Sequence, residues 1–286
     1  MNNFGLLDAL TLIGALGMFL FGMNMMSESL QKVAGNKMRS ILSSMTKNRF
    51  IGVLSGIIIT SIIQSSSATT VLIVSFVNAG LLTLGESISV IMGANIGTTI
   101  TAWLVSLIGF KFSIAEIAIP LIGLSLPFIF SKNDKRKTIG HLIIGFSLLF
   151  LGLEYLKTGV PDIKSHPEIL NFLQNYTNMG FLSILLFLLV GTILTIIVQS
   201  SSATMAITLV MISQGWITFE IGAAMVLGEN IGTTITANIA AITANINSRR
   251  AALSHTLFNV FGVIWVLIIF YPFTKMAGYI VNFDAT

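Results

Sequence analysis

The sequence predicts an all-α polytopic membrane protein built as an inverted-topology repeat, each half with three spanning helices (one broken) and one re-entrant helical hairpin. Three observations carry that prediction. Of 286 residues, 54% are hydrophobic and 9% charged, with a mean hydropathy of +0.91, against about 25% charged in a soluble domain. The apolar stretches suit spanning helices, which take roughly 20 residues, and they lack the two-residue alternation of an outer-membrane barrel. The chain also repeats itself at an offset of 135 residues. Gln64-Ser65-Ser66-Ser67-Ala68-Thr69 returns as Gln199-Ser200-Ser201-Ser202-Ala203-Thr204. Nine of ten positions agree between Gly93–Ala102 and Gly228–Ala237, the exception being Ala94 against Glu229. Two unrelated apolar runs would not share polar residues and glycines.

The elements follow in order. Residues 6–30 form a first helix, which has no basic n-region and is therefore read as retained and not as a cleaved signal. Residues 31–49 form a basic loop or surface helix. Residues 50–80 make two apolar arms of about 13 residues around Gln64, each too short to span, so a re-entrant hairpin with its polar tip buried in protein is expected. Residues 86–110 form a long helix interrupted by Gly93-Ala94-Asn95-Ile96-Gly97-Thr98-Thr99. Residues 112–130 form a span kinked at Pro120 and Pro127. The second half, 136–286, repeats the order of 1–135. Residues 138–157 span, and 158–178 are a polar loop with Asp162, Lys164 and Glu168. Residues 179–213 form the second hairpin around Gln199. Residues 220–245 form the second broken helix, around Gly228-Glu229-Asn230-Ile231-Gly232-Thr233-Thr234, and 251–272 are the last span.

Three crossings per half invert the second half relative to the first. Placing 31–49 inside also puts 131–137 and 246–250 inside. Eleven of the fifteen basic residues then lie inside: Lys32, Lys37, Arg39, Lys47, Arg49, Lys132, Lys135, Arg136, Lys137, Arg249 and Arg250. The positive-inside rule is met, and both termini are expected outside. The hairpins enter from opposite faces and their tips meet near the midplane, as in inverted-repeat transporters. The net charge of +4 thus reports topology and not a nucleic-acid partner. With no cysteine, disulfides and thiolate metal sites are excluded.

Six adjacent polar or small residues inside an apolar segment are costly in lipid unless used. Ser65, Ser66, Ser67 and Thr69, with Ser200, Ser201, Ser202 and Thr204, offer hydroxyls beside the free N–H groups of a half-helix, which is an anion site without a fixed cation. Close helix packing through small residues explains one serine pair but not two copies of the whole motif. Asn95, Thr98, Thr99, Asn230, Thr233 and Thr234 offer neutral oxygens suited to Na⁺, with glycines that let the backbone unwind and expose carbonyls. Gln64 and Gln199 add side-chain carbonyls to that cation set. Glu86, Glu116 and Glu220 fall near predicted ends. Glu229 breaks the repeat inside a motif, and it is a candidate to ligate a cation, carry a proton or pair with a neighbouring donor. His255 and Asn259 share a face of the last helix and are read as interhelical hydrogen-bonding residues.

The paired Gln-Ser-Ser-Ser motifs, each followed by Asn-Ile-Gly-Thr-Thr, resemble the type II sodium–phosphate cotransporter family over most of the chain. The resemblance implies Na⁺-coupled symport of inorganic phosphate across a prokaryotic cytoplasmic membrane. It further implies an elevator-like transport core, commonly in a homodimer, with no cofactor beyond the coupling ion. It assigns phosphate and Na⁺ binding to Gln64 to Thr69 and Gln199 to Thr204, with the Asn and Thr residues above alongside. Electrogenic animal members carry an Asp after the first broken helix, where this chain reads Gly109-Phe110-Lys111-Phe112, so the resemblance does not extend to the extra Na⁺ tied to that acid. Longer bacterial members append a regulator-like helical domain, which is not expected in this chain.

Other readings fit less well. An intramembrane hydrolase needs a base beside its nucleophile. The histidines His141, His166 and His255 lie outside the motifs, and no Gly-x-Ser-x-Gly elbow is present. The chain is therefore not expected to be an enzyme. A carrier for sulfate, arsenate or a small carboxylate remains the alternative, because neutral donors do not count oxygens. A passive anion channel leaves the paired cation kit idle.

Overall fold

The computed structural model describes residues 5–44, 48–109, 114–159 and 176–280. Every regular element among them is helical: α1 (Leu6–Ser44), α2 (Arg49–Ile63), α3 (Ser66–Asn78), α4 (Leu84–Trp103), α5 (Ile114–Ile129), α6 (Asp134–Gly159), α7 (Phe181–Val198), α8 (Ser201–Ser213), α9 (Phe219–Gly232), α10 (Thr234–Ala241), α11 (Ile246–Ile268) and α12 (Phe270–Ile280). Five stretches are long and apolar enough to cross a bilayer: Leu6–Ala34, Leu84–Ile108, α6, α7 and α11. The protein is an all-α, multi-pass membrane protein.

The chain divides into two compact units. Unit 1 holds Met1–Ile73 and Gly85–Pro161, and unit 2 holds Val74–Leu84 and Asp162–Thr286. In unit 1, α1 runs along α6, α5 packs on α6, and α2 leans on α1. Small residues make the α1–α6 contact: a Cβ on Gly145 would lie 2.5 Å from the Met26 amide nitrogen. Backbones approach this closely in membranes because packing, and not hydrophobic exclusion, holds the helices together. In unit 2, α7 runs along α9 over a core of Ile184, Phe187, Ile221, Met225 and Phe270. Asn245 caps α11 by accepting from Ser248 N at 3.0 Å, and its own amide nitrogen donates to Asn78 Oδ1 at 2.8 Å. That bond joins the end of α3 to α11 within unit 2.

The two hairpins share one local construction. α2 and α7 each end on a glutamine in the left-handed region, Gln64 at φ 56° and Gln199 at φ 54°. A serine then opens the return helix. α3 and α8 close with glycines at φ 71°, Gly80 and Gly215. Around each, paired bonds (Leu81 N to Phe76 O and Gly80 N to Val77 O; Trp216 N to Met211 O and Gly215 N to Ile212 O) form the Schellman pattern, which favours a residue without a Cβ.

Several boundaries differ from expectation. α1 continues through the basic segment to Ser44, since nothing there breaks a helix. The arms of the first hairpin are 15 and 13 residues, but α7 is 18 and long enough to cross. The first interrupted helix is not interrupted at Gly93–Thr99. α4 runs unbroken, and its irregularity is a π-helical turn at Leu104–Ile108. The glycines are used for close approach instead of unwinding: a Cβ on Gly93 would overlap the Val53 carbonyl, and one on Gly97 would sit 2.7 Å from Thr60 Cβ. The second helix does break, between α9 and α10 at Thr233. There the Thr236 hydroxyl bonds back to the Thr233 carbonyl at 3.1 Å, competing with the helix ladder. α5 keeps Pro120 and Pro127 inside one helix. The final span starts at Ile246, where Asn245 caps it, and a separate α12 follows Ile268. Asp162, Lys164, Glu168, His166 and Phe110 to Phe112 lie outside the described residues.

Candidate functional site

Among the described residues, Gln64 and Gln199 are the two non-glycine residues with positive φ. A left-handed L-residue costs roughly 1–2 kcal/mol, and strain held at matching repeat positions makes the two tips candidate sites. What it achieves is a sharp reversal that points two helix ends at one spot. Each following serine takes the N-cap position. Ser65 Oγ accepts from Ala68 N at 3.2 Å, and Ser200 Oγ from Ala203 N at 3.3 Å. The first serine of each triplet is therefore a cap, while Ser66, Ser67, Ser201 and Ser202 occupy the first helical positions, whose N–H groups have no carbonyl to meet within the helix.

The first tip is tied down on three sides, all within unit 1. Thr101 Oγ1 donates to Gln64 Oε1 at 2.9 Å, and Gln64 Nε2 donates to the Ser61 carbonyl. From α1, Ser27 Oγ donates to the Ile63 carbonyl and is itself approached by Gln31 Nε2 at 3.1 Å. Thr60 Oγ1 donates to Thr69 Oγ1 at 3.1 Å, which donates to the Ser65 carbonyl at 3.0 Å. Gln64 is 4% exposed, and a cavity of about 370 Å³ lined by Met26, Leu104, Val105, Phe146 and Phe150 opens beside it.

The second tip keeps the backbone and loses most of the ties. The Gln199 side chain is exposed. Thr236, the repeat counterpart of Thr101, bonds within its own helix, and the buried Thr195 hydroxyl, counterpart of Thr60, has no partner among the described residues. Thr204 Oγ1 bonds to the Ser200 carbonyl at 3.1 Å, as Thr69 does to Ser65.

The proposed cation ligands are gathered less fully than the serines. Gln64 reaches Thr101 and Ser61, not Asn95, Thr98 or Thr99. Thr98 and Thr99 donate to carbonyls of α4 itself, Ala94 and Ile96, at 3.1 and 2.7 Å, and Thr99 is exposed. In unit 2 Asn230 is exposed, while Thr233 and Thr234 are buried. Glu86 and Glu220 fall in the first turns of α4 and α9, where the helix dipole favours an acid. Glu229 is 1% exposed. Its Oε1 accepts from Thr208 Oγ1 at 2.8 Å, and its Oε2 and the Thr233 hydroxyl have no partner among the described residues. The repeat counterparts of Glu229 and Thr208 are Ala94 and Ile73, both fully buried, so an acid–hydroxyl pair stands at positions where the other repeat has two apolar residues. Sequence reasoning passed over Thr60, Thr101, Thr208 and Ser27. The first two sit among the repeat identities, and nothing in the sequence marks the others.

A family model described as Na⁺/Pi-cotransporter matches residues 18–158 and 165–283. The chain belongs to that family. Among its relatives, YqeW of Bacillus subtilis is 34% identical over 92% of this chain and 81% of its own length. YjbB of Escherichia coli, named as an inorganic phosphate export protein, is 28% identical over 92% of this chain and 47% of its own length. The chain thus spans about half of that relative. Human sodium-dependent phosphate transport protein 2B is 39% identical over 98 residues, 34% of this chain and 14% of its own length. No solved structure matches the chain.

Proposed function

We propose that the chain is a secondary transporter that couples Na⁺ to symport of inorganic phosphate across a prokaryotic cytoplasmic membrane by an elevator-like motion. The observation that carries this reading is the doubled tip: a left-handed glutamine, a capping serine, and a helix start with free N–H groups and serine hydroxyls. Such a helix start favours an anion by ~0.3–1 kcal/mol before any specific contact. Phosphate is assigned to Ser65, Ser66, Ser67, Thr69, Ser200, Ser201, Ser202 and Thr204. Na⁺ is assigned to Gln64, Asn95, Thr98, Thr99, Gln199, Asn230, Thr233 and Thr234. A homodimer with both termini outside completes the reading.

Purified protein in liposomes tests it. Labelled phosphate is expected to accumulate under an inward Na⁺ gradient and not with choline in its place. No Na⁺-dependent accumulation overturns the coupling. Unlabelled sulfate or arsenate competing as well as phosphate would move the substrate to another oxyanion. One relative is named for phosphate export over 92% of this chain, so the assay is run with the gradient in both directions.

Glu229 is assigned to coupling. A buried carboxylate in a membrane is expensive unless used, and its repeat counterpart is alanine. Glu229→Gln keeps the shape and an acceptor for Thr208 but removes the ionisable carboxyl. It is expected to raise the Na⁺ concentration for half-maximal uptake at least about tenfold, equivalent to ~1.4 kcal/mol, with the melting temperature little changed. An unchanged Na⁺ dependence removes Glu229 from coupling.

A further inference from the structure

The two hairpins carry one motif, and their surroundings treat it differently. Both glutamines cap a helix with the same backbone conformation. Around Gln64 both ends of the side-chain amide are engaged: Oε1 accepts from Thr101 of α4 and Nε2 donates to the Ser61 carbonyl. The carbonyl just before it, Ile63, is held by Ser27 of α1, and the two arms are pinned together by the Thr60–Thr69 hydroxyl pair. Gln199 is exposed, Thr236 bonds to its own helix, and the Thr195 hydroxyl is buried without a partner among the described residues.

We infer that Thr101 is a positioning residue: through Gln64 it holds the first hairpin tip in one arrangement, and the second tip, lacking that tie, is the one that opens and reorganises. A hydroxyl donor at this place does three things. It fixes the Gln64 carboxamide, which stabilises a left-handed residue. It keeps the Ser66 and Ser67 amides aimed at one spot. It also engages the Gln64 oxygen, whereas the Gln199 side chain is exposed. For the transported ions this rests on the phosphate reading above; the difference in opening between the tips does not.

Hydrogen exchange read by mass spectrometry on the full chain in detergent or nanodiscs tests it directly. Peptides covering 193–205 are expected to exchange faster than those covering 58–70, because local opening governs exchange. Thr101→Val, which keeps the shape and removes the donor, brings 58–70 up to the rate of 193–205, and Thr101→Ser restores protection. Should Thr101→Val fail to fold, Ser27→Ala, which frees the Ile63 carbonyl, is read in the same way. Equal exchange at the two tips in the unaltered chain, or no change at 58–70 in a folded variant, overturns the inference. The transport arm reads the consequence. Thr101→Val is expected to raise the apparent KM for phosphate about five- to tenfold, as a binding-competent tip becomes less populated, with the maximal rate within about twofold. Thr236→Val leaves KM unchanged. A Thr236→Val effect as large as that of Thr101→Val overturns the assignment to Thr101. Absence of phosphate uptake in the unaltered chain rejects the transport reading and leaves the exchange result standing.

Discussion

Ser66→Ala and Ser201→Ala are each expected to reduce the proposed Na⁺-driven phosphate uptake at least about tenfold, while Ser65→Ala and Ser200→Ala are expected first to lower stability. The structure separates the serines by what they already do. Ser65 and Ser200 spend their hydroxyls on Ala68 N and Ala203 N, and losing such a cap costs ~1 kcal/mol of helix stability, visible as a lower melting temperature. Ser66 and Ser201 make no capping bond, and they stand at the first position of α3 and α8. Their hydroxyls serve no cap, so removing them takes a donor from the tip without costing the helix its N-cap. A hydrogen bond to a charged partner is worth ~1.5–3 kcal/mol, and each ~1.4 kcal/mol is a factor of ten in affinity. The check is labelled-phosphate uptake beside a melting curve for each variant. Full uptake in both Ser66→Ala and Ser201→Ala removes the tips from the phosphate site.

What the sequence made legible was whatever repeats. The doubled motif and the breaks between helices at Gln64 and Gln199 were readable, because polar identities at a fixed offset inside apolar helix have few explanations. The return helices closing on Gly80 and Gly215 follow from the same repeat. What stayed hidden depended on partners far away in the chain. Ser27 lies 36 residues from the Ile63 carbonyl it holds, and Thr101 lies 37 residues from Gln64. Neither spacing has a period that a reader of sequence would test. α7 differs for a reason of length: expected as one arm of a re-entrant hairpin, it has 18 residues and is long enough to cross. The motif glycines misled most, since glycine supports both unwinding and close approach, and only the facing helix decides between them.

That facing helix makes the glycines the most sensitive positions for folding. Gly93→Ala or Gly228→Ala is expected to destabilise its unit by about 3 kcal/mol or more, at or beyond the upper end of ordinary overpacking. The reason is the identity of the atoms met. A Cβ on Gly93 would overlap the Val53 carbonyl oxygen, and one on Gly228 would overlap that of Leu188. A side chain in the way can change rotamer, but a helix carbonyl moves only with its helix. Thr192 Oγ1, which bonds to the Gly228 carbonyl at 3.0 Å, would be pulled away as α7 and α9 separated. The counterpart pairs Gly56–Gly93 and Gly191–Gly228 are built alike, so both halves are expected to respond alike. Gly17→Ala is the control: nothing lies within 4 Å of a Cβ there, and replacing an exposed helical glycine by alanine is worth up to ~1 kcal/mol of added stability. Melting curves of the three variants should therefore move in opposite directions, down for Gly93→Ala and Gly228→Ala, level or up for Gly17→Ala. A Gly228→Ala protein that melts with the unaltered chain would mean that α7 and α9 do not approach through this glycine.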